Sequence, residues 1–146
     1  MKNSVKEEIK KIEKFYEKPM SKWDWYLISH KQTLPEDFIR EFKNNLDWVC
    51  ISRYQVLSES FIREFQDRVD WLPISYHQKL SESFIRVFKD KVNWCYIPVE
   101  KLSQGFIAEF RDKFDLDRLL KKNIITQEFF NSLYKVITRF ELMEIE

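Results

Sequence analysis

The sequence predicts an all-α solenoid of short helix-turn-helix repeats with N- and C-terminal capping helices, and three observations carry that expectation. Trp25, Trp48, Trp71 and Trp94 recur at an interval of 23 residues, as do Phe38, Phe61 and Phe84 with Ile39, Ile62 and Ile85 beside them. Self-similarity at a period in the twenties is the mark of a repeat array. Within one unit, Phe61, Ile62, Phe65 and Val69 stand at i, i+1, i+4 and i+8, which is one stripe on a helix and a scatter over both faces of a strand. Finally, the 146 residues include one glycine, Gly105, where ordinary usage of about 7% gives roughly ten, so glycine-bearing hairpin turns are nearly absent.

The elements follow in order. Residues 1–20 form a capping helix: Val5, Ile9, Ile12, Phe15 and Tyr16 stand among lysines and glutamates as a helical stripe, and Pro19 ends it. Repeats occupy residues 22–114, each with two helices. The first to be recognised is long, capped by Ser58 or Ser81, with Leu57 and Ile62, or Leu80 and Ile85, at the spacing of a hydrophobic staple. The second is short, roughly Asp47 to Gln55, with Asp47 or Asp70 as cap and the tryptophan in its first turn. Pro73 and Pro98 lie near enough to the ends of such helices to be tolerated. Phe106-Ile107-Ala108-Glu109-Phe110 is a fourth copy arriving one residue early, and Phe129 to Leu133 is a decayed fifth. Residues 115–146 make a degenerate C-terminal repeat in which Leu116 replaces the tryptophan and Leu119 the isoleucine, followed by a helix from Ile125 to about Phe140. Residues 1–146 thus read as a single repeat domain.

The charged start lacks a long apolar run, which predicts neither a secretory signal nor a membrane span. Cys50 and Cys95 occupy non-equivalent slots of different repeats. Small core residues in a chain of the reducing cytoplasm are expected there, rather than a disulfide. No HExxH, CxxC or GxSxG string occurs, and His30 and His77 do not share a slot. No catalytic residue, cofactor or metal is therefore expected.

Three sets of side chains invite a binding role. The tryptophans, with Gln32, Gln55 and Gln78 on the same side of the short helix, read as a buried ladder whose glutamines bond loop backbone. The outward slots of the short helix hold His30, Arg53 and Tyr76, then Lys31, Tyr54 and His77. Side chains that vary on a constant scaffold are how repeat proteins present a binding face, and drift at solvated positions is the alternative. Arg40, Arg63 and Arg86 share a slot on the other helix and form a ladder suited to phosphates. Glu41 and Glu64 beside them, and 25 basic against 24 acidic residues for a net charge of +1, favour ion pairing instead.

The unit Asp-Trp-x-x-Ile-Ser-x-x-Gln-x-Leu-Ser-Glu-x-Phe-Ile-Arg-x-Phe, at residues 47–65 and again at 70–88, resembles short tandem repeats in proteins of large DNA viruses and bacteriophages. That resemblance implies a virus-encoded intracellular interaction module acting on a host protein, an inhibitor of a defence machine such as a CRISPR effector being one form. The functional expectation is a non-catalytic protein-protein interaction module working through the variable face. RNA or single-stranded DNA binding along the arginines is the alternative, and self-association through the end units is a third.

Overall fold

Helices of six or seven residues are too short to persist alone, so the fold is decided by what satisfies their ends. The computed structural model describes residues 1–143, with side chains through Lys135. Residues 144–146, assigned above to the C-terminal repeat, lie outside the described residues, as do the side chains of the last helix beyond Lys135. The described chain is helical with no strand, and it forms two compact units, Met1–Val92 and Asn93–Glu146.

The first unit begins with α1 (Asn3–Tyr16), which buries Val5 and Ile12 and ends at Glu17 in the left-handed region, φ 52°. Phe15 departs from the expected stripe and is exposed. A 3-10 turn at Met20–Lys22 leads into three helix pairs: α2 (Trp25–Lys31) with α3 (Glu36–Glu41), α4 (Trp48–Tyr54) with α5 (Glu59–Glu64), and α6 (Trp71–His77) with α7 (Glu82–Val87). α2 packs on α4 and α4 on α6, while α1 lies against α3. Their core is the row Phe38, Ile39, Phe61, Ile62, Phe84 and Ile85 facing Ile28, Ile51 and Ile74, all at most 1% exposed. The second unit has 3-10 turns at Trp94–Tyr96 and Val99–Lys101, α8 (Gln104–Glu109), a 3-10 turn at Arg111–Lys113, α9 (Leu116–Lys121) and α10 (Gln127–Met143). Its core gathers Ile107, Leu119 and Ile125, with Leu116, Phe129 and Phe130 packed around them.

The four expected caps, Ser58, Ser81, Asp47 and Asp70, are in place, and the structure adds Ser103, Asp24, Asp115 and Thr126. Ser58, Ser81 and Ser103 accept from the amides of Phe61, Phe84 and Phe106. Asp24, Asp47 and Asp70 cap α2, α4 and α6. Asp115 caps α9, and Thr126 accepts from the Phe129 amide at the start of α10.

The lengths are reversed, however. The helix expected to be the long one stops after six residues, at Phe42, Phe65, Phe88 and Phe110, where the backbone sits near φ −110°, ψ 27° as at Phe65. The helix is not resumed beyond the turn that follows, where the Asp70 amide and the Gln66 carbonyl that a continuing helix would join are engaged elsewhere. The Trp71 indole donates to Gln66 O at 2.9 Å, and Asp70 N–H donates to Ser52 Oγ at 2.9 Å. The chain instead turns on one carbonyl: Phe65 O accepts from both Arg68 N and Val69 N. Val69 still joins the buried stripe, because its amide bonds the carbonyl four residues back as in a helix.

Successive pairs are joined by three side-chain-to-backbone ties. Ser52 Oγ donates to Trp48 O at 2.7 Å while accepting the Asp70 amide, as Ser29 does for Trp25 and Asp47. Gln55 Oε1 accepts from Leu34 N at 2.8 Å, and its Nε2 donates to Ser29 O and Gln32 O; Gln78 does the same to Leu57, Ser52 and Gln55. Glu36 and Glu59 accept the amides of Ser58 and Ser81. The expectation that the glutamines bond loop backbone is met at Gln55 and Gln78. Gln32, first in the row, donates to the Tyr16 hydroxyl at 3.2 Å.

The serine slot, 29, 52 and 75, falls on Pro98 in the second unit. Proline brings no hydroxyl and its ring clashes with the carbonyl four residues back, so Pro98 is not tolerated within a helix as expected. The corresponding helix is replaced by the two 3-10 turns flanking it.

Gln55→Ala leaves a buried amide and two carbonyls without their partner and should lower the unfolding free energy by about 2–4 kcal/mol in urea melts. Gln32→Ala, losing one bond to a half-buried hydroxyl, should cost about 1 kcal/mol or less. Equal losses would contradict the role given to the glutamine row.

Candidate partner-binding face

The tryptophans expected in a buried ladder are half-buried at Trp25, Trp48, Trp71 and Trp94. Each ring packs inward on phenylalanines of the following helix: Trp48 lies 6.3 Å from Phe61 and 5.0 Å from Phe65, and Trp71 and Trp94 repeat the arrangement with Phe84, Phe88, Phe106 and Phe110. Cations cover two of them. Arg68 lies 5.8 Å over Trp48 and Lys91 5.9 Å over Trp71. The same two cations bond Lys43 O and Gln66 O, the carbonyls that the two indoles also use. The indoles are therefore fixed at the polar end as well as the apolar one, an arrangement of scaffold rather than of a base-stacking platform. Their 23-residue spacing was open to view in Arg68 and Lys91, which the sequence reading passed over.

The arginine row is not a uniform ladder. Arg40 contacts Glu64 at 2.8 Å, Asp37 at 3.4 Å and Glu36 at 3.5 Å, and lies 4.9 Å over Phe61. The hydrogen bond to Glu64 raises its pKa, and Lys2 in turn lowers that of Asp37. In the next repeat the slot of Glu64 is Val87, and Arg63 instead lies over Phe84 and Phe88 at 5.5 and 5.2 Å. Arg86 reaches Glu82 at 3.8 Å.

The outward slots of α2, α4 and α6 lie on one face. Lys31, Arg53, Tyr54, Tyr76 and His77 are exposed. His30 is not fully outward: it is half-buried, its ring 4.3 Å from Tyr54 edge-on and stacked with Tyr26 at 6.3 Å, and its Nδ1 is buried without a hydrogen-bond partner. Arg53 lies 5.5 Å over the Tyr54 ring, and Tyr76 meets His77 edge-on at 4.7 Å.

A second row, unread in the sequence, completes the face. Tyr26, Val49 and Leu72 share a slot four residues before His30, Arg53 and Tyr76 and are 61%, 55% and 49% exposed. The signal was available as three large apolar residues at one repeat position whose helix phase opposes the buried Ile28, Ile51 and Ile74.

A cleft of about 60 Å³ beside Tyr16, Lys18, Lys22 and Trp23 falls short of the few hundred Å³ that a small-molecule site fills. Among the described residues no group of three His, Cys, Asp or Glu side chains stands together as a metal site. No helix among them is long and apolar enough to cross a membrane.

Cys50 is buried, and its thiol is pushed up by burial and by Asp47 beside it. Cys95, expected in the core, is exposed because its slot is the outward one of Tyr26, Val49 and Leu72. A thiol-reactive disulfide reagent should titrate Cys95 in the native protein and Cys50 only after denaturation; prompt labelling of both would contradict this placement. A double-mutant cycle on Arg40 and Glu64 should give a coupling below about 1 kcal/mol, since both side chains are partly solvated. Compared with protein-family models, curated proteins and solved structures, the chain matches none.

Proposed function

We propose that the chain is a non-catalytic protein-binding module that captures its partner on the outward face of α2, α4 and α6. The observation that carries this reading is that Tyr26, Val49, Leu72, Tyr54 and Tyr76 are all exposed on three helices that pack in series. Exposed apolar surface of this kind marks interaction sites, and tyrosine and arginine are, with tryptophan, enriched among the few residues that dominate binding at protein interfaces. The scaffold beneath is tied repeat to repeat by buried serine and glutamine bonds, so side chains of the face can differ between repeats at little cost to folding. The likeness of the unit to viral and phage repeats extends the reading to a host protein as partner, inhibition of a defence machine such as a CRISPR effector being one form.

Nucleic-acid binding along Arg40, Arg63 and Arg86 is the weaker reading, because Arg40 and Arg86 contact carboxylates and Arg63 lies over rings. Replacing Arg53, Tyr54, Tyr76 and His77 together by alanine should leave circular dichroism and melting nearly unchanged while abolishing capture of protein from host lysate. Retained capture by that variant, or loss of capture on replacing Arg63 and Arg86 instead, would assign binding elsewhere.

A further inference from the structure

The outward face has a sign. Helices α2, α4 and α6 with the loops that follow them, residues 25–35, 48–58 and 71–81, contain no aspartate or glutamate in a chain that has 24. At the chain's own average these 33 positions would hold about five. They hold Lys31, Arg53 and Lys79, all exposed, together with His30 and His77. The carboxylates nearest in sequence before each helix, Asp24, Asp47 and Asp70, accept amide hydrogen bonds at the helix starts, 2.8–3.1 Å long. Those that follow, Glu36 and Glu59, are turned to the amides of Ser58 and Ser81. Glu82, after the third, contacts Arg86 at 3.8 Å. The negative charges therefore sit at the borders of the three segments, and the only permanent charges within them are Lys31, Arg53 and Lys79.

We infer that the occupant of this face is an acidic segment of a protein that also carries apolar side chains, an inference that rests on the partner-binding reading above. Each part of that description comes from a named feature. Val49 and Leu72, side by side at the middle of the face, offer only dispersion and hydrophobic contact, so the partner brings apolar groups to them. Tyr54, with the Arg53 guanidinium over it and the His30 ring against it, holds a cation on a rigid aromatic support. A planar guanidinium held in that way is suited to bidentate capture of a carboxylate. Lys31 and Lys79 add positive charge at the ends of α2 and α6, where steering an acidic partner raises the association rate. A phosphate polymer fits less well, because three permanent cations give few phosphate contacts.

Panning a random 16-residue peptide display library on the full chain tests this directly. Enriched peptides should be net negative and contain Leu, Phe or Tyr. They should lose at least about tenfold in affinity to Lys31→Glu/Arg53→Glu, and again to Tyr54→Ala/Tyr76→Ala. Far-ultraviolet circular dichroism of both variants checks that these exposed substitutions leave the fold in place. Enriched peptides that are neutral or basic, yet still depend on Tyr54 and Tyr76, would overturn the acidic assignment while leaving a protein-binding face. No enrichment, or peptides indifferent to both variants, would overturn the face itself and the inference with it. Binding of a U12 or dT12 oligonucleotide that Lys31→Glu/Arg53→Glu abolishes would overturn it in favour of nucleic acid.

Discussion

The structure depends on backbone groups of one repeat being satisfied by side chains of its neighbour. A helix of six or seven residues leaves most of its amides or carbonyls without an intrahelical partner, and burying such groups unpaired costs more than short helices gain from propensity. In the first unit these orphans are met by Ser29 and Ser52 on the following aspartate amide, Gln55 and Gln78 on the preceding loop, and Glu36 and Glu59 on the next cap. The repeat length follows from this: each tie spans 18 to 26 residues, so a pair of helices cannot complete itself without the adjacent one.

The phenylalanine and isoleucine core supplies the burial, and the ties supply the register. Phe38, Phe61 and Phe84 would tolerate sliding past one another as similar apolar knobs; a glutamine that must meet one amide and two carbonyls does not. The tryptophan joins both functions, with its ring on the next helix's phenylalanines and its N–H on a carbonyl five residues back. Because backbone polarity and large apolar volume are both consumed on the inside, the exposed slots of α2, α4 and α6 are not needed for either.

Much of this was legible in the sequence, and the remainder has physical reasons for being hidden. Period, helical class, serine and aspartate caps and the backbone role of Gln55 and Gln78 could be read because each is a local rule or a repeated one. That α5 does not run on to Val69 and beyond could not, since Asp70 N–H and Gln66 O are taken by Ser52 and Trp71, partners that lie outside the helix. Pro98 was misjudged for the same reason: its harm lies in occupying the serine slot and not only in its helix position. His30 shared an outward phase with Arg53 and Tyr76, but Tyr54 from the neighbouring helix leans onto it. At the candidate face, six positions were visible as variable slots, whereas the Tyr26, Val49 and Leu72 row, which has a phase opposite Ile28, Ile51 and Ile74, was masked by side chains large and apolar enough to read as core.

The serine slot also governs how such a chain can lengthen. A tandem duplication of 23 residues drawn from the stretch containing Ser52 and Gln55 carries its own hydroxyl, amide and carboxylate, so the inserted copy meets both neighbours with matching donors and acceptors. A copy containing Pro98 brings no hydroxyl for its successor's cap amide and would join its neighbour without that tie, although the chain does go on to α8 and α9. Lengthening by duplication is therefore better accommodated by copies that carry the serine than by one that carries residue 98.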